Sequence, residues 1–265
     1  MLRCDVITLF PDLIQPVLGQ SMLRRAQDKG LLEARVHNLR DFALDKHQMA
    51  DDAPYGGGAG MVMKAEPVFL AVEALRRQYG ETVPGTHLRL LLPSPQGRPF
   101  TQRFAEELRD EPRRIVFLCG HYEGIDERVR IGLGPDEVSI GDYVLTGGEL
   151  PALVMIDAAV RLIPGVLGDP ASAERESFAE SLLDYPHYTR PAELRGLAVP
   201  EVLLSGDHEA IRLWRRKEAL RSTYRKRPDL LRDRDLSDED RRLLDTILEQ
   251  EAKDASVSQR GGEQS

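Results

Sequence analysis

Apolar and polar residues alternate in four short runs in the first half of the chain. Such runs, bounded by turn-forming residues, are typical of β-strands, and they lie at residues 4–10, 32–39, 88–92 and 115–119. Between and after them, apolar residues recur at helical spacing. The predicted helices are residues 12–29, 66–79, 101–109 and 149–163. Strands that alternate with helices predict an α/β domain with a parallel sheet.

The pattern changes after this last helix. Residues 165–178 are small and polar without a clear period, which is typical of a linker or loop. Beyond them we find only helical patterns, at residues 209–224 and 238–253. The sequence therefore predicts an α/β domain (1–164), a flexible interdomain linker (165–178), a smaller all-helical domain (179–253) and a disordered tail (254–265).

A membrane protein is not expected from this sequence. The longest apolar segment, residues 150–167, is interrupted by Asp157, Arg161 and Pro164, so it is unsuited to spanning a bilayer. Asp5 and Pro11 interrupt the apolar region that a signal peptide would need. We expect a cytoplasmic protein without a membrane partner.

Charge and cysteine content narrow the classes of function further. The net charge of −8 weakly opposes nucleic-acid binding, although local charge matters more than total charge. Between Arg212 and Arg227 there are eight cations and one acid, and Trp214 lies among them. Such a run is usually a solvated helix face, and the alternative is a helix that faces RNA. Cys4 and Cys119 lack metal-binding spacing, which favours buried free thiols.

Four loops rich in glycine and proline are the candidates for chemistry. They lie at residues 51–64, 92–100, 120–129 and 139–151. In open α/β sheets, ligands bind beyond the carboxyl ends of the strands, where these loops would converge. Taken alone, each loop is also explained by tight turns.

Common nucleotide-phosphate and metal motifs do not fit these loops. No Walker motif is present, and Gly56, Gly58 and Gly60 lie in a long loop instead of between a strand and a helix. His121 and Glu123 lack partners at zinc-like spacing, so no metal site is predicted. A glycine-rich site without cations suits a polar, positively charged ligand, and S-adenosylmethionine has this character.

Several longer motifs resemble one enzyme family. In order they are S-P-Q-G (94–97), G-H-Y-E-G-I-D-E-R (120–128), S-I-G-D-Y-V-L-T-G-G-E-L-P (139–151), R-L-I-P-G-V-L-G (161–168) and L-L-D-Y-P-H-Y-T-R-P (182–191). With this order and spacing, the chain resembles the bacterial tRNA (guanine-N1)-methyltransferases of the TrmD type over roughly residues 2–248.

The resemblance implies a SPOUT fold, in which the α/β domain contains a deep trefoil knot that holds S-adenosylmethionine. It also implies a homodimer whose active sites combine both subunits. A magnesium requirement would rest on the resemblance alone. The implied cofactor-binding residues are Pro93, Gly120, Tyr122, Glu123, Ile140, Gly141, Asp142, Tyr143, Val144, Leu145, Gly147 and Gly148.

Methylation of guanine N1 sets its own chemical requirements. N1 carries a proton at neutral pH, so the reaction needs a base to remove it and a cation to stabilise the charge on O6. The resemblance assigns the cation to Arg161, which could also be a helix-end arginine favoured by the dipole. The family commonly has aspartate before Ser-Phe, where this chain has Glu176. Glu176 is therefore the first candidate for the base, and Glu174 and Asp169 are the alternatives.

The implied substrate is the guanine immediately 3′ of the tRNA anticodon, at position 37, in a single-stranded loop. The resemblance assigns tRNA contacts to His47, Asp51, Gly60, Arg212, Arg215 and Lys217. Ala59 stands where the family often has proline. Two other functions remain open: a SPOUT enzyme that modifies another RNA, and a non-catalytic RNA-binding regulator.

Overall fold

A computed structural model of the chain describes residues 1–167, 182–232 and 236–262, with side chains as far as residue 253. The chain divides into two compact units, Met1–Pro170 and Ala171–Ser265. The division falls inside the stretch predicted as a linker. The exact boundaries of the domains, the linker and the disordered tail stay predictions.

The first unit alternates strands and helices. Its strands are β1 (Leu2–Thr8), β2 (Leu32–Asn38), β3 (Asp51–Asp52), β4 (Val62–Met63), β5 (Leu88–Pro99), β6 (Arg114–Leu118) and β7 (Asp136–Ser139). Its helices are α1 (Pro11–Leu18), α2 (Ser21–Asp28), α3 (Ala65–Gln78), α4 (Gln102–Arg109), α5 (Glu127–Leu133) and α6 (Glu149–Val160), with a 3-10 turn at Leu39–Phe42.

Five of the strands form one sheet in the order β2-β1-β6-β5-β7. Every pairing in this sheet is parallel. β3 and β4 form a separate antiparallel pair. The predicted α/β domain with a parallel sheet is confirmed.

Both faces of the sheet are buried, because successive side chains of a strand point to opposite faces. In β6, Ile115 and Phe117 join the core under α1, α2, α4 and α6, whereas Val116 and Leu118 join the core under α3 and α5. This is the expected arrangement for a parallel sheet, whose strands read as nearly continuous apolar runs.

The two cysteines lie in this core as free, buried thiols, as predicted. Burial raises the pKa of Cys4 to about 12. Burial also raises the pKa of Cys119 well above its ordinary value, with a further contribution from the negative charge of Glu149. Both thiols are therefore neutral at physiological pH and act as small apolar side chains.

The structure corrects the predicted helix 12–29, which is two helices. α1 ends before Gly19, and Ser21 at the start of α2 has a φ of 49°. A residue in the left-handed region cannot continue a right-handed helix, so the chain turns here. The apolar faces of both helices still meet the same core, which explains why the sequence pattern continued across the break.

In its described residues, the second unit is mainly helical and has one short hairpin. Its helices are α7 (His208–Lys226), α8 (Asp229–Arg232) and α9 (Asp238–Gly262), and its two-residue strands are β8 (Glu193–Leu194) and β9 (Leu197–Ala198). Leu182, Leu220 and Ile247 form its core. The predicted helical domain is confirmed. α9 ends at Gly262, beyond the residue 253 at which the sequence pattern ends.

Among the described residues, no helix combines the length and the apolar character needed to cross a membrane.

Candidate active site

A cavity of about 210 Å³ lies at the carboxyl ends of the central strands. Its wall comes from the end of β5, the loop after β6 and the segment between β7 and α6. Eleven of the twelve predicted cofactor-binding residues line it, and the exposed Asp142 does not. Motifs that are far apart in the sequence therefore meet at the position expected for ligands in an open α/β sheet.

Backbone hydrogen bonds hold the loops around this cavity. The Gly148 N–H donates to the Gly120 carbonyl over 2.8 Å, which joins the segment before α6 to the loop after β6. The Glu123 N–H donates to the Met61 carbonyl over 3.0 Å, and the Met63 N–H donates to the Gly124 carbonyl over 2.9 Å. Main-chain contacts thus join three of the four predicted loops, at residues 51–64, 120–129 and 139–151.

The glycines before α6 permit this close packing. A Cβ on Gly147 would overlap the side chains of Glu149 and His121, and a Cβ on Gly148 would lie 3.0 Å from Cys119 Cα. At these two positions the missing side chain makes room for protein atoms of neighbouring loops. The glycine motif therefore serves the packing of the cavity wall as well as any ligand.

Tyr122 has an unusual backbone conformation in the cavity wall. Its φ is 57°, which non-glycine residues rarely adopt, and its ring packs edge-on against His121 with centroids 4.9 Å apart. Backbone strain of this kind costs on the order of 1–3 kcal/mol and is concentrated at functional sites. The strained position coincides with a predicted cofactor-binding residue.

A buried polar network lies next to Gly147, one of the glycines before α6. Thr8 Oγ1 donates a 2.7 Å hydrogen bond to Glu149 Oε1, and both side chains are almost completely buried. Glu149 Oε2 lies 3.7 Å from Nδ1 of His121, and this nitrogen has no hydrogen-bond partner among the described residues. Glu149 therefore links the end of β1, the start of α6 and the loop after β6.

We expect Thr8→Val to lower the free energy of unfolding by about 1–3 kcal/mol, since valine has the shape of threonine but no hydroxyl. The substitution removes the donor to Glu149 and the acceptor of the Phe10 N–H, which lies 2.8 Å from Thr8 Oγ1. Thr8→Ser is the matched control, because it keeps the hydroxyl and loses one methyl group. Urea denaturation measures both variants, and a serine variant less stable than the valine variant would contradict the role of the hydroxyl.

The charges around the cavity favour a ligand that is not a polyanion. Glu123 contributes a carboxylate to the wall. The cation of the wall, Arg130, is paired with Glu127 at 3.1 Å and Glu137 at 3.2 Å. Glycines and apolar residues are frequent in the rest of the wall, among them Gly120, Ile140 and Leu145. These residues fit S-adenosylmethionine, which combines an adenine ring with two positively charged groups.

The structure places one of the two predicted catalytic residues. Arg161 lies directly after α6, as the C-cap of that helix, and it is half-buried. Glu176, with the alternative bases Glu174 and Asp169, lies outside the described residues. Within these described ranges, no group of three or more His, Cys, Asp or Glu side chains could hold a metal ion.

The predicted tRNA-binding residues of the first unit lie near the cavity or on the surface. His47 is exposed, and Asp51 begins the short strand β3. Gly60 packs against the side chain of Glu123, because a Cβ there would lie 2.5 Å from Glu123 Oε1. Gly60 is therefore next to the cavity wall.

The cationic run of the second unit is largely neutralised within the fold. Five of its eight cations form ion pairs: Arg212 with Glu209 and Glu239, Arg216 with Asp240, Arg221 with Glu218, Arg225 with Glu251, and Arg227 with Asp229. Hydrogen bonds to Glu239 and Glu209 hold the pKa of Arg212 above its ordinary value. Arg215 and Lys217 form no ion pair with described residues. The run thus offers less free positive charge than the sequence indicates.

Several residues of the cavity wall were not among the predicted cofactor-binding residues. These are chiefly Ser94, Gln96, His121, Thr146 and Pro151. All of them lie inside the quoted motifs, so their position between predicted residues was the available signal. His121 was considered as a metal ligand and not as part of a cofactor site, and its contact with Glu149 depends on the fold.

The chain is similar to known proteins of one family. A family model described as tRNA (guanine-1)-methyltransferase TrmD matches residues 2–233. A protein of Pelotomaculum thermopropionicum named tRNA (guanine-N(1)-)-methyltransferase is 56% identical over 247 residues, which cover 93% of this chain and 96% of that protein.

Two further relatives have the same name. The Staphylococcus epidermidis protein is 54% identical and covers 92% of this chain and 97% of its own length. The Moorella thermoacetica protein is 54% identical and covers 95% of this chain and 99% of its own length. Because the match spans both units at high identity, the chain belongs to the tRNA (guanine-1)-methyltransferase family.

Proposed function

We propose that the protein transfers the methyl group of S-adenosylmethionine to N1 of the guanine immediately 3′ of the anticodon, position 37, in tRNA. The observation that carries this proposal is the cavity at the strand ends, where eleven of the twelve residues assigned to the cofactor meet. Family membership supplies the class of reaction.

The cavity residues bind and orient the cofactor in this proposal. When bound, S-adenosylmethionine supplies a methyl group on a positively charged sulfur. The cavity residues between Ile140 and Gly148 would hold the cofactor, and the Glu123 carboxylate would favour its positive charge. The Thr8–Glu149–His121 network holds the start of α6, after Gly147 and Gly148, against the loop after β6.

Glu176 and Arg161 act on the guanine. The Glu176 carboxylate removes the proton from N1, so that the N1 lone pair becomes available for attack on the methyl carbon. The Arg161 guanidinium stabilises the negative charge that develops on O6. Together these groups supply the base and the cation that the chemistry requires.

The position of Arg161 supports a homodimer with shared active sites. α6 begins at the cavity wall, with Gly148 as its N-cap, and Arg161 follows its far end. Twelve helical residues separate the two ends by about 18 Å. An arginine side chain is too short to cover this distance, so Arg161 serves the cavity of a second subunit in the proposal.

Exposed apolar side chains on the same helix also support self-association. Leu150 and Val154 of α6 are exposed, as are Leu13 and Val17 of α1, which packs against α6. At the mouth of the cavity, the Val144 side chain is 85% exposed. A second copy of the chain would cover such surfaces in the proposed dimer.

Single-turnover methyl transfer tests the proposed function. The purified protein and labelled S-adenosylmethionine are mixed with a tRNA transcript that has guanine at position 37, and a transcript with adenine there is the control. We expect transfer to the guanine transcript alone. Transfer to both transcripts, or to neither, would contradict the proposal.

Two measurements distinguish the remaining alternatives. An enzyme for another RNA would methylate ribosomal RNA and leave the guanine transcript unmodified. A non-catalytic regulator would bind RNA, but calorimetry would show no heat of binding for S-adenosylmethionine.

The proposal includes action in the cytoplasm, without a membrane partner. A magnesium requirement would rest on the resemblance alone, and assays with EDTA and with added magnesium test it.

A further inference from the structure

The second unit contains a cleft lined by aromatic rings, and Arg215 is the one predicted tRNA contact that lies in it. We name it the aromatic cleft and define it by Tyr185, His187, Tyr188, Arg190, Trp214 and Arg215. Its volume is about 410 Å³, within the roughly 300–1,000 Å³ that is typical of ligand pockets. All of its residues belong to the second unit.

The rings of the aromatic cleft form two loose pairs. The centroids of Tyr188 and Trp214 are 6.3 Å apart with their planes at 55°, and those of Tyr185 and His187 are 4.6 Å apart at 41°. Tyr188 is 49% exposed. Tilted rings with open faces leave π-surface accessible to a further ring.

Arg215 gives the cleft a hydrogen-bond donor without an acceptor. Its guanidinium lies 5.0 Å from the centre of the Tyr185 ring. Its Nε is buried and has no hydrogen-bond partner among the described residues. A buried donor without a partner destabilises the fold. A ligand with a carbonyl oxygen or ring nitrogen would satisfy it.

Two cations of the same helix outside the cleft are not available for backbone phosphate. Arg212 and Arg216 on the same helix are occupied by Glu239 and Asp240. In the cleft itself, His187 is paired with Asp184 at 2.9 Å. Arg190 and Arg215, the arginines of the cleft, form no ion pair with described residues. Aromatic rings beside these two hydrogen-bond donors are suited to a nucleobase.

We propose that the aromatic cleft binds an unpaired nucleobase of the RNA substrate by stacking, with Arg215 as a donor to the base edge. The proposal rests on the proposed function, because that function provides a tRNA with unpaired bases in its loops. Stacking on aromatic rings tolerates any base, since every base has a π-face. The cleft thus adds affinity for tRNA without selecting the methylated guanine.

Binding of tRNA to Tyr188→Leu tests the proposal. We expect the dissociation constant to rise about tenfold to a hundredfold, as for the loss of one base–aromatic stack. Tyr188→Phe keeps the ring and should bind like wild type. Tyr224→Leu is the matched control, because it removes an exposed tyrosine from α7 outside the cleft, and its affinity should stay within twofold of wild type.

Two further readouts separate stacking from a structural effect. The loss in Tyr188→Leu should be the same factor at low and high salt, because stacking releases no counterions. Trp214 is the one tryptophan of the sequence, so its fluorescence reports on the cleft and should be quenched by tRNA. Unchanged tRNA affinity in Tyr188→Leu would overturn the proposal, as would altered self-association in sedimentation without a change in tRNA affinity.

The outcome also distinguishes this inference from the proposed function. A wild-type protein that methylates the guanine transcript, with a Tyr188→Leu variant that binds tRNA normally, refutes the cleft alone. A wild-type protein that binds tRNA through Tyr188 but transfers no methyl group refutes the proposed function alone.

Discussion

Replacing Glu176 with glutamine is expected to slow single-turnover methyl transfer by a hundredfold or more and to leave S-adenosylmethionine affinity unchanged. General-base catalysis contributes roughly 10²–10⁴-fold to a rate. Glutamine keeps the size of the side chain but cannot accept the N1 proton. Rates at saturating cofactor and tRNA, together with calorimetry for the cofactor, separate loss of chemistry from loss of binding.

Neighbouring acids provide the controls for this experiment. Glu174→Gln and Asp169→Asn remove the other two carboxylates of the same stretch, and both variants should keep rates within a few-fold of wild type. If Glu176→Gln has a normal rate and either Asp169→Asn or Glu174→Gln is slow, the residue replaced in the slow variant is the general base. Slow transfer in all three would indicate that the segment acts through its overall charge.

The fold class could be predicted largely from the sequence. A SPOUT α/β domain followed by a helical domain is confirmed by the five-stranded parallel sheet and by the family match. Strand positions were predictable because the apolar runs that mark them are buried on both faces of the sheet. β7 was missed, because Asp136–Ser139 is too short and polar to show a period.

β5 shows how local signals can mislead. The sequence predicted that this strand ends at residue 92, since Pro93, Pro95 and Gly97 are typical of a turn. In the structure, β5 continues to Pro99 with an irregularity between Pro93 and Arg98. Proline is tolerated at such bulges. The irregular segment forms part of the cavity wall, so the departure from a regular strand coincides with the candidate site.

Side-chain contacts between residues that are far apart in the chain could not be predicted from the sequence. Thr8 and Glu149 are separated by 141 positions, and no local pattern indicates that they form a hydrogen bond. The cationic run was overestimated for the same reason, because Glu239, Asp240 and Glu251 neutralise it from α9. Motifs identified the loops of the site, but the fold determined which charges remained available.

Replacing Gly97 with alanine is expected to lower the free energy of unfolding by about 3 kcal/mol or more, the upper range for overpacking a core. A Cβ at this position would overlap the backbone nitrogen of Val138 and would lie 2.6 Å from the carbonyl oxygen of Glu137. These are main-chain atoms of β7, so no side-chain rotation can relieve the clash. For a chain of this size, the melting temperature should fall by about 6–12 °C.

The same substitution should weaken S-adenosylmethionine binding by tenfold or more, measured below the melting transition. β7 pairs with β5 on both sides of the irregular segment, and the cavity wall lies between these pairings. Gly19→Ala is the matched control, since its Cβ would have its nearest contact at 3.5 Å, an ordinary distance. A Gly97→Ala protein as stable as the Gly19→Ala protein would show that β7 can move away without cost. A destabilised Gly97→Ala protein with normal cofactor affinity would show that the cavity does not depend on this pairing.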